Sequence, residues 1–306
     1  LSISNVAAST NTINTFASES ATVFFTLNGP ATATFSVIPE KSGPSGTPVY
    51  QATQTCSAAG AYLFTWNGRN SAGQGVPDEA YLYILETTDG VTTALYSPAP
   101  PAGTGSISCT QETSYNPYKN DPLSISYSVS QPARIDISIA WPTDPFNIMT
   151  SVPHMPGSYT FDWDGRDATG KILGAGGKAY CNVTSLLREN YIITTGDKPK
   201  ISQIKTDPYT MNLSYGEFTR IRYKLSRNAN VTVKVISPSG ITVTLVNNQP
   251  QNAGSQELQW SALDSSDVGG KKVVIHEEGN YTVVIEATNP ASGAIASARA
   301  NLGVEY

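Results

Sequence analysis

Asp162, Asp164 and Asp167 stand within six residues of one another, a spacing that could gather carboxylates around a hard cation such as calcium. The segment lacks the ligand order of a calcium-binding helix–loop–helix and has no distal bidentate Glu. In an earlier copy of the same segment the matching residues are Thr65, Asn67 and Asn70, which would hold such an ion poorly. The favoured reading is a tight Asp-Gly turn in which Arg166 pairs with a neighbouring carboxylate, so no metal is expected. His154 and His276 are far apart in sequence, and neither adjoins a Gly-x-Ser-x-Gly elbow or a Cys nucleophile motif. Both read as ordinary surface histidines. No phosphate-cradling glycine loop and no His/carboxylate metal pair is present. No catalytic residue and no cofactor is therefore expected.

Three cysteines, Cys56, Cys109 and Cys181, form no CxxC pair, which argues against zinc. Cys109 is in phase with Ile107 in one strand, and Cys181 takes an inward place in another. A Cys109–Cys181 disulfide in an oxidising compartment is the preferred reading. The alternative is two buried thiols. Cys56 is left over, either as a free thiol or as a cross-link to another chain.

Trp66, Trp163 and Trp260 are 97 residues apart. Indole rings can stack on sugars, but recurrence at one place in a repeat argues for packing. Trp141 lies outside the repeat, in a loop that also holds Phe146. Two readings of Trp141 and Phe146 stand open: an exposed contact for a partner, or a plug over the end of a domain.

The elements that must position these residues repeat with the tryptophans. Tyr62/Phe64, Tyr159/Phe161 and Gln256/Leu258 alternate into each Trp, and Gly60, Gly157 and Gly254 stand at one offset before it. Upstream, Val23/Phe25/Leu27 matches Ile125/Tyr127/Val129 and Ile221/Tyr223/Leu225. A short turn leads to Ala33/Phe35/Val37, Ile135/Ile137/Ile139 and Val231/Val233/Val235, a pattern read as a hairpin. Downstream, Tyr81/Tyr83/Leu85 is aligned with Ala179/Cys181/Val183 and Tyr281/Val283/Ile285. Each third then carries about seven short strands, the pattern of an antiparallel sandwich. The fold expected is all-β, three tandem immunoglobulin-like antiparallel β-sandwiches over residues 1–98, 99–197 and 198–306. Pro98 to Gly105 and Gly196 to Pro199 serve as linkers, the first stiffened by proline.

Composition narrows the setting. Only 14% of residues are charged and the net charge is -5. There is no basic run, so nucleic acid is not an expected partner. No apolar stretch approaches the roughly 18 residues of a membrane span. Neutral polar side chains fill the surface, as suits an exported protein. The chain opens at Leu1 rather than Met, as a processed end or a fragment would, with any export signal already removed. Sequons at Asn182, Asn212, Asn230 and Asn280 are surface candidates if the host glycosylates.

Trp163-Asp164-Gly165-Arg166-Asp167, then Gly170 and Gly177-Lys178-Ala179-Tyr180, resembles the immunoglobulin-like domain of the flagellar hook-capping protein (FlgD-type). Trp66-Asn67-Gly68-Arg69-Asn70, Gly73 and Ala80-Tyr81 resemble it with substitutions. The last third keeps Trp260, Asp264 and Gly279-Asn280-Tyr281 without the Gly-Arg core. The resemblance implies the sandwich fold and an extracytoplasmic, structural setting, and it carries no catalytic residue. The expectation is an extracellular or cell-surface structural or adhesive component of a stalk, fibre or filament. It would associate with itself through edge strands, with other surface proteins, or with glycans. The alternative is a set of spacer or carbohydrate-binding modules of a larger secreted enzyme.

Overall fold

The computed structural model describes residues 1–142, 144–174, 176–261, 266–268, 271–273 and 277–306. Strands are their main regular element, with short 3-10 turns at Glu40–Ser42, Pro117–Lys119 and Leu213–Tyr215. Alternation of apolar and polar residues builds three sandwiches. The first stacks the sheet Ile3–Ala8, Ala21–Leu27, Gly60–Trp66 on a larger sheet built around Ala31–Pro39 and Ala80–Thr88. The second stacks Ile107–Gln111, Leu123–Val129, Gly157–Trp163 on Pro145–His154, Ala133–Ala140, Lys178–Leu186. The third repeats the first, with Ile201–Asp207, Thr219–Leu225, Gly254–Trp260 facing Thr210–Asn212, Ile295–Glu305, Gly279–Thr288, Ala229–Ile236, Thr242–Gln251.

The inward residues of each sandwich form its own core. Val23, Phe25 and Leu27 face Ala33, Phe35 and Val37 in the first. Ile125, Tyr127 and Val129 face Ile135, Ile137 and Ile139 in the second. These strand pairs are not the hairpins that their spacing suggests. Ala21–Leu27 and Ala31–Pro39 lie in opposite sheets, and so do Leu123–Val129 and Ala133–Ala140. A period of two says which side chains point inward, but not whether the next strand is beside or across.

The boundaries drawn from the repeat need one correction. Tyr191–Thr195, expected in the second domain, is a strand of the first sandwich. It pairs antiparallel with Ala80–Thr88 (Leu82 with Tyr191, Ala80 with Ile193) and parallel with Thr12–Asn14. Thr93–Tyr96 pairs with the other half of the same strand, Thr88 with Thr93 and Leu85 with Tyr96. In the third sandwich one unbroken strand, Ile295–Glu305, does both jobs. The closing strand of the first sandwich is thus cut in two, and the second sandwich is inserted at the cut. Repeat counting cannot see this, because partner choice leaves no trace in a period.

Polar joints hold the sandwiches together. Arg134 of the second is 3% exposed. Its Nε lies 2.7 Å from Glu40 and its Nη1 2.9 Å from Glu79 of the first, while Lys41 lies 2.8 Å from Glu79. Leu187, Tyr191 and Ile193 pack with Ala80 and Met155 beside it. First and third meet where Asp78 accepts the Asp197 and Lys198 N–H groups at 2.7 and 3.0 Å, and Arg227 sits 4.6 Å over the Phe16 ring. Second and third meet where Asn120 Nδ2 donates to Thr206 Oγ1 at 2.9 Å and the Asn301 carbonyl at 2.8 Å.

Burial pushes the Glu79 carboxyl up, but Lys41, the Ala80 N–H and Arg134 more than offset it, leaving the group below its usual range. A depressed carboxylate stabilises above its unfolded value, and that stability is lost as pH falls through the folded value. The joint should therefore loosen below about pH 4, seen as faster hydrogen exchange around Arg134 and Glu79. Arg134→Met, which strands two carboxylates, should cost about 3–5 kcal/mol in urea melts at neutral pH.

Candidate functional site

The Trp66 and Trp163 turns are built alike. Trp66, Trp163 and Trp260 are buried. Trp66 Nε1 donates to the Arg69 carbonyl at 2.8 Å and Trp163 Nε1 to the Arg166 carbonyl at 2.9 Å. The two arginines reach on to the Gly73 and Gly170 carbonyls, at 2.7 and 2.8 Å. Gly68 and Gly165 turn the chain at φ 73° and 76°, in the left-handed region that favours glycine. With all three rings buried, and the Trp66 and Trp163 edges bonded to the backbone, these residues offer no stacking platform.

The three aspartates do not converge. Asp162 accepts from Ser124 Oγ at 2.7 Å. Asp164 lies 3.8 Å from Arg166, and burial pushes its carboxyl up despite that cation. Asp167 Oδ1 accepts the Thr169 hydroxyl and the Thr169 and Lys171 N–H groups, and these bonds hold it below its usual range. Asn70 does the same work for Ala72 and Gln74. Among the described residues no three His, Cys, Asp or Glu gather as a metal site would require. Asp167→Ala should lower the urea midpoint of the second sandwich, Asp167→Asn should leave it near the parent, and a chelator should not shift it. A midpoint drop on chelation would restore the calcium reading.

His154 is only partly exposed, unlike the surface residue expected. Its Nε2 lies 2.9 Å from Tyr127 Oη, and its ring stands edge-on to Tyr159 at 4.7 Å. Burial draws its pKa down. His276 and Asp264 lie outside the described residues. Trp141 and Phe146 are both partly buried against the core of the second sandwich, with Phe146 6.1 Å from Trp163. Both side chains pack on the core and keep part of their surface exposed.

Cys109 and Cys181 are joined by a disulfide, with Cα atoms 5.9 Å apart, bridging the two sheets of the second sandwich. Cys56 is a free thiol, 1% exposed, with its pKa pushed up by burial. Enclosed in the first core, it does not present sulfur to another chain.

Pairing also realigns the repeat. Cys181 stands opposite Ile137, as Leu85 stands opposite Phe35 and Ile285 opposite Val233. Gly177 then takes the place of Tyr81 and Tyr281, two residues off the alignment read from spacing. Those tyrosines pack on Trp66 and Trp260 and donate to the Pro77 and Glu277 carbonyls. In the second sandwich Tyr115 comes in from another loop, packs 5.9 Å from Trp163 and donates to the Gly174 carbonyl at 2.8 Å. A Cβ on Gly177 would stand 3.0 Å from Trp163 and 3.1 Å from Tyr115 Oη, so the glycine makes room for the imported ring. Tyr180, the expected motif tyrosine, is exposed.

Sequence reading missed the largest irregularity. Among the described residues Lys178–Leu186 pairs with Ala133–Ala140 alone; no strand bonds to its other edge, although Gly105 and Ile107–Gln111 lie against it. Leu85, Val283 and Ile285 are fully buried, whereas Ala179, Cys181 and Val183 are only partly so. A groove of about 500 Å³ opens there, lined by Cys109–Thr113, Tyr115 and Gly176–Ala179. Gln111 bridges part of the bare edge, donating to the Gly177 carbonyl at 3.0 Å and accepting the Ala179 N–H at 2.6 Å. The signal available in the sequence was Tyr191-Ile192-Ile193, an unbroken apolar run that marks a strand enclosed on both faces.

The chain is similar, at low identity, to several solved structures. One concerns host cell surface retention of a bacterial ice-binding adhesin (13% identity, 99% of this chain and 96% of that chain, TM-score 0.19). Another is dimeric latent PorU from Porphyromonas gingivalis (11%, 97% and 32%, TM-score 0.27). A third is a Parabacteroides merdae β-glucuronidase (15%, 67% and 28%, TM-score 0.21). Scores of this size carry no inference about activity. No curated protein matches. The family model of the FlgD Ig-like domain matches residues 10–90, which run from before Thr12–Asn14 to just short of the split strand. Residues 10–90, which include the Trp66 turn, are thus similar to the FlgD Ig-like domain.

Proposed function

We propose that this chain is a non-catalytic structural or adhesive protein of the cell exterior, whose sandwiches hold partners rather than transform them. One observation carries the reading: the polar side chains that could do chemistry are used in turns and joints, while a strand edge over a core is left bare. Asp167 and Arg166 shape a turn, Arg134 and Glu79 close a joint, and His154 is packed between tyrosines. Bare edges bind by strand addition, through backbone hydrogen bonds. The disulfide suits an oxidising exterior.

Light scattering across a concentration series, with capture of labelled cell-surface proteins, tests this reading. Association with itself or with a surface protein, competed by unlabelled chain, is expected, with no turnover of chromogenic glycosides, esters or peptides. Turnover that follows the protein through repurification would overturn the proposal in favour of an enzyme.

A further inference from the structure

Resting on the reading as a binding protein, we propose that the bare edge of Lys178–Leu186 is a strand-acceptor site. Its occupant is an extended segment of a partner protein with small apolar residues at every second position.

The chain itself shows what this position takes. In the third sandwich the equivalent strand is covered by Ile295–Glu305, whose buried residues include Ala296, Ala300, Leu302 and Val304. In the first it is covered in part by Tyr191–Thr195, which arrives only after the whole second sandwich has been traversed. The segment that follows Lys178–Leu186 is thus committed to another domain, and the second sandwich is left without a closing strand of its own. Delivery of a strand from a distance is a device this fold already uses.

The vacant position is built to remain open. The Cys109–Cys181 bridge ties the two sheets together at the uncovered side. Gln111 satisfies two backbone groups of the edge with one side-chain amide, which an incoming strand could displace. Beyond Ala179 the inward residues Cys181 and Val183 are only partly covered, so a donor would gain both ladder bonds and apolar burial. Among the described residues the closing strands already lie within their own sheets and are not free to serve as donors. The occupant is therefore a free extended segment of a different protein.

A fluorescein-labelled peptide with the sequence of residues 293–306 serves as probe. Anisotropy should show saturable binding of one peptide per chain, and hydrogen exchange should slow across residues 178–186. Gln111→Ala, which frees the edge, should bind several-fold tighter. Ala179→Arg, which fills the groove with a charged side chain, should weaken binding about tenfold or more, equivalent to about 1.4 kcal/mol or more. Absence of binding to both the parent and Gln111→Ala would overturn the site. So would equal binding by Ala179→Arg, or protection that maps to residues 279–305 instead. Loss of the site with surface-protein capture intact would remove this inference alone, whereas loss of capture would remove the function proposed above.

Discussion

A fragment ending at residue 98 is expected to stay unfolded. It lacks Tyr191–Thr195, and with it the one partner of Thr12–Asn14 and half the cover of Ala80–Thr88. Ile192 and Ile193, 1% and 5% exposed, leave with it. Truncating a buried Ile costs about 2–5 kcal/mol. Two such losses approach the whole stability of a domain, about 5–15 kcal/mol. Restoring the strand should restore the fold. Tyr96 faces Leu85 and Tyr191 faces Leu82 along one edge, so a short Gly-Ser joint from residue 96 to residue 190 can replace the inserted sandwich. Circular dichroism and urea titration check both: a broad, non-cooperative signal for residues 1–98, and a cooperative transition for the joined protein. A cooperative transition in the short fragment would show the split strand to be dispensable.

The second large effect concerns the sandwich that gave up its closing strand. Cys109→Ser with Cys181→Ser should destabilise it by about 2–5 kcal/mol, the range for removing a native disulfide that closes a long loop. The separation here is 72 residues. The bridge stands at the side that lacks a closing strand, so the upper part of that range is expected. Hydrogen exchange should localise the loss to residues 107–186 and leave 219–260 protected. A parent-like profile in the double variant would mean that Gln111 and the packing of Gly105 against Leu186 and Val183 suffice.

The sandwich core was readable because inward residues recur two apart in every strand, from Val23/Phe25/Leu27 to Val231/Val233/Val235. Trp66, Trp163 and Trp260 marked the same turn three times, and the phase of Cys109 and Cys181 placed both sulfurs inward. Three features were not readable. The sheet to which a strand belongs depends on partners across space, so Ala21–Leu27 and Ala31–Pro39 looked like a hairpin. The tyrosine over Trp163 comes from residue 115, outside the repeat, and spacing alone aligned Gly177-Lys178-Ala179-Tyr180 on the wrong residue. The open edge exists because Tyr191–Thr195 pairs with the first sandwich, a choice made by burial on both faces rather than by periodicity.

Cutting the chain in the Pro98–Gly105 linker tests the central claim, that the first sandwich is completed by a strand brought from beyond the second. A protease site placed there and cleaved in the native protein separates residues 1–98 covalently from the rest. Size-exclusion chromatography should show both pieces co-eluting as one particle and parting only in denaturant, because Tyr191–Thr195 remains in the sheet of the first piece. Release of a folded piece comprising residues 1–98 under native conditions would contradict the account.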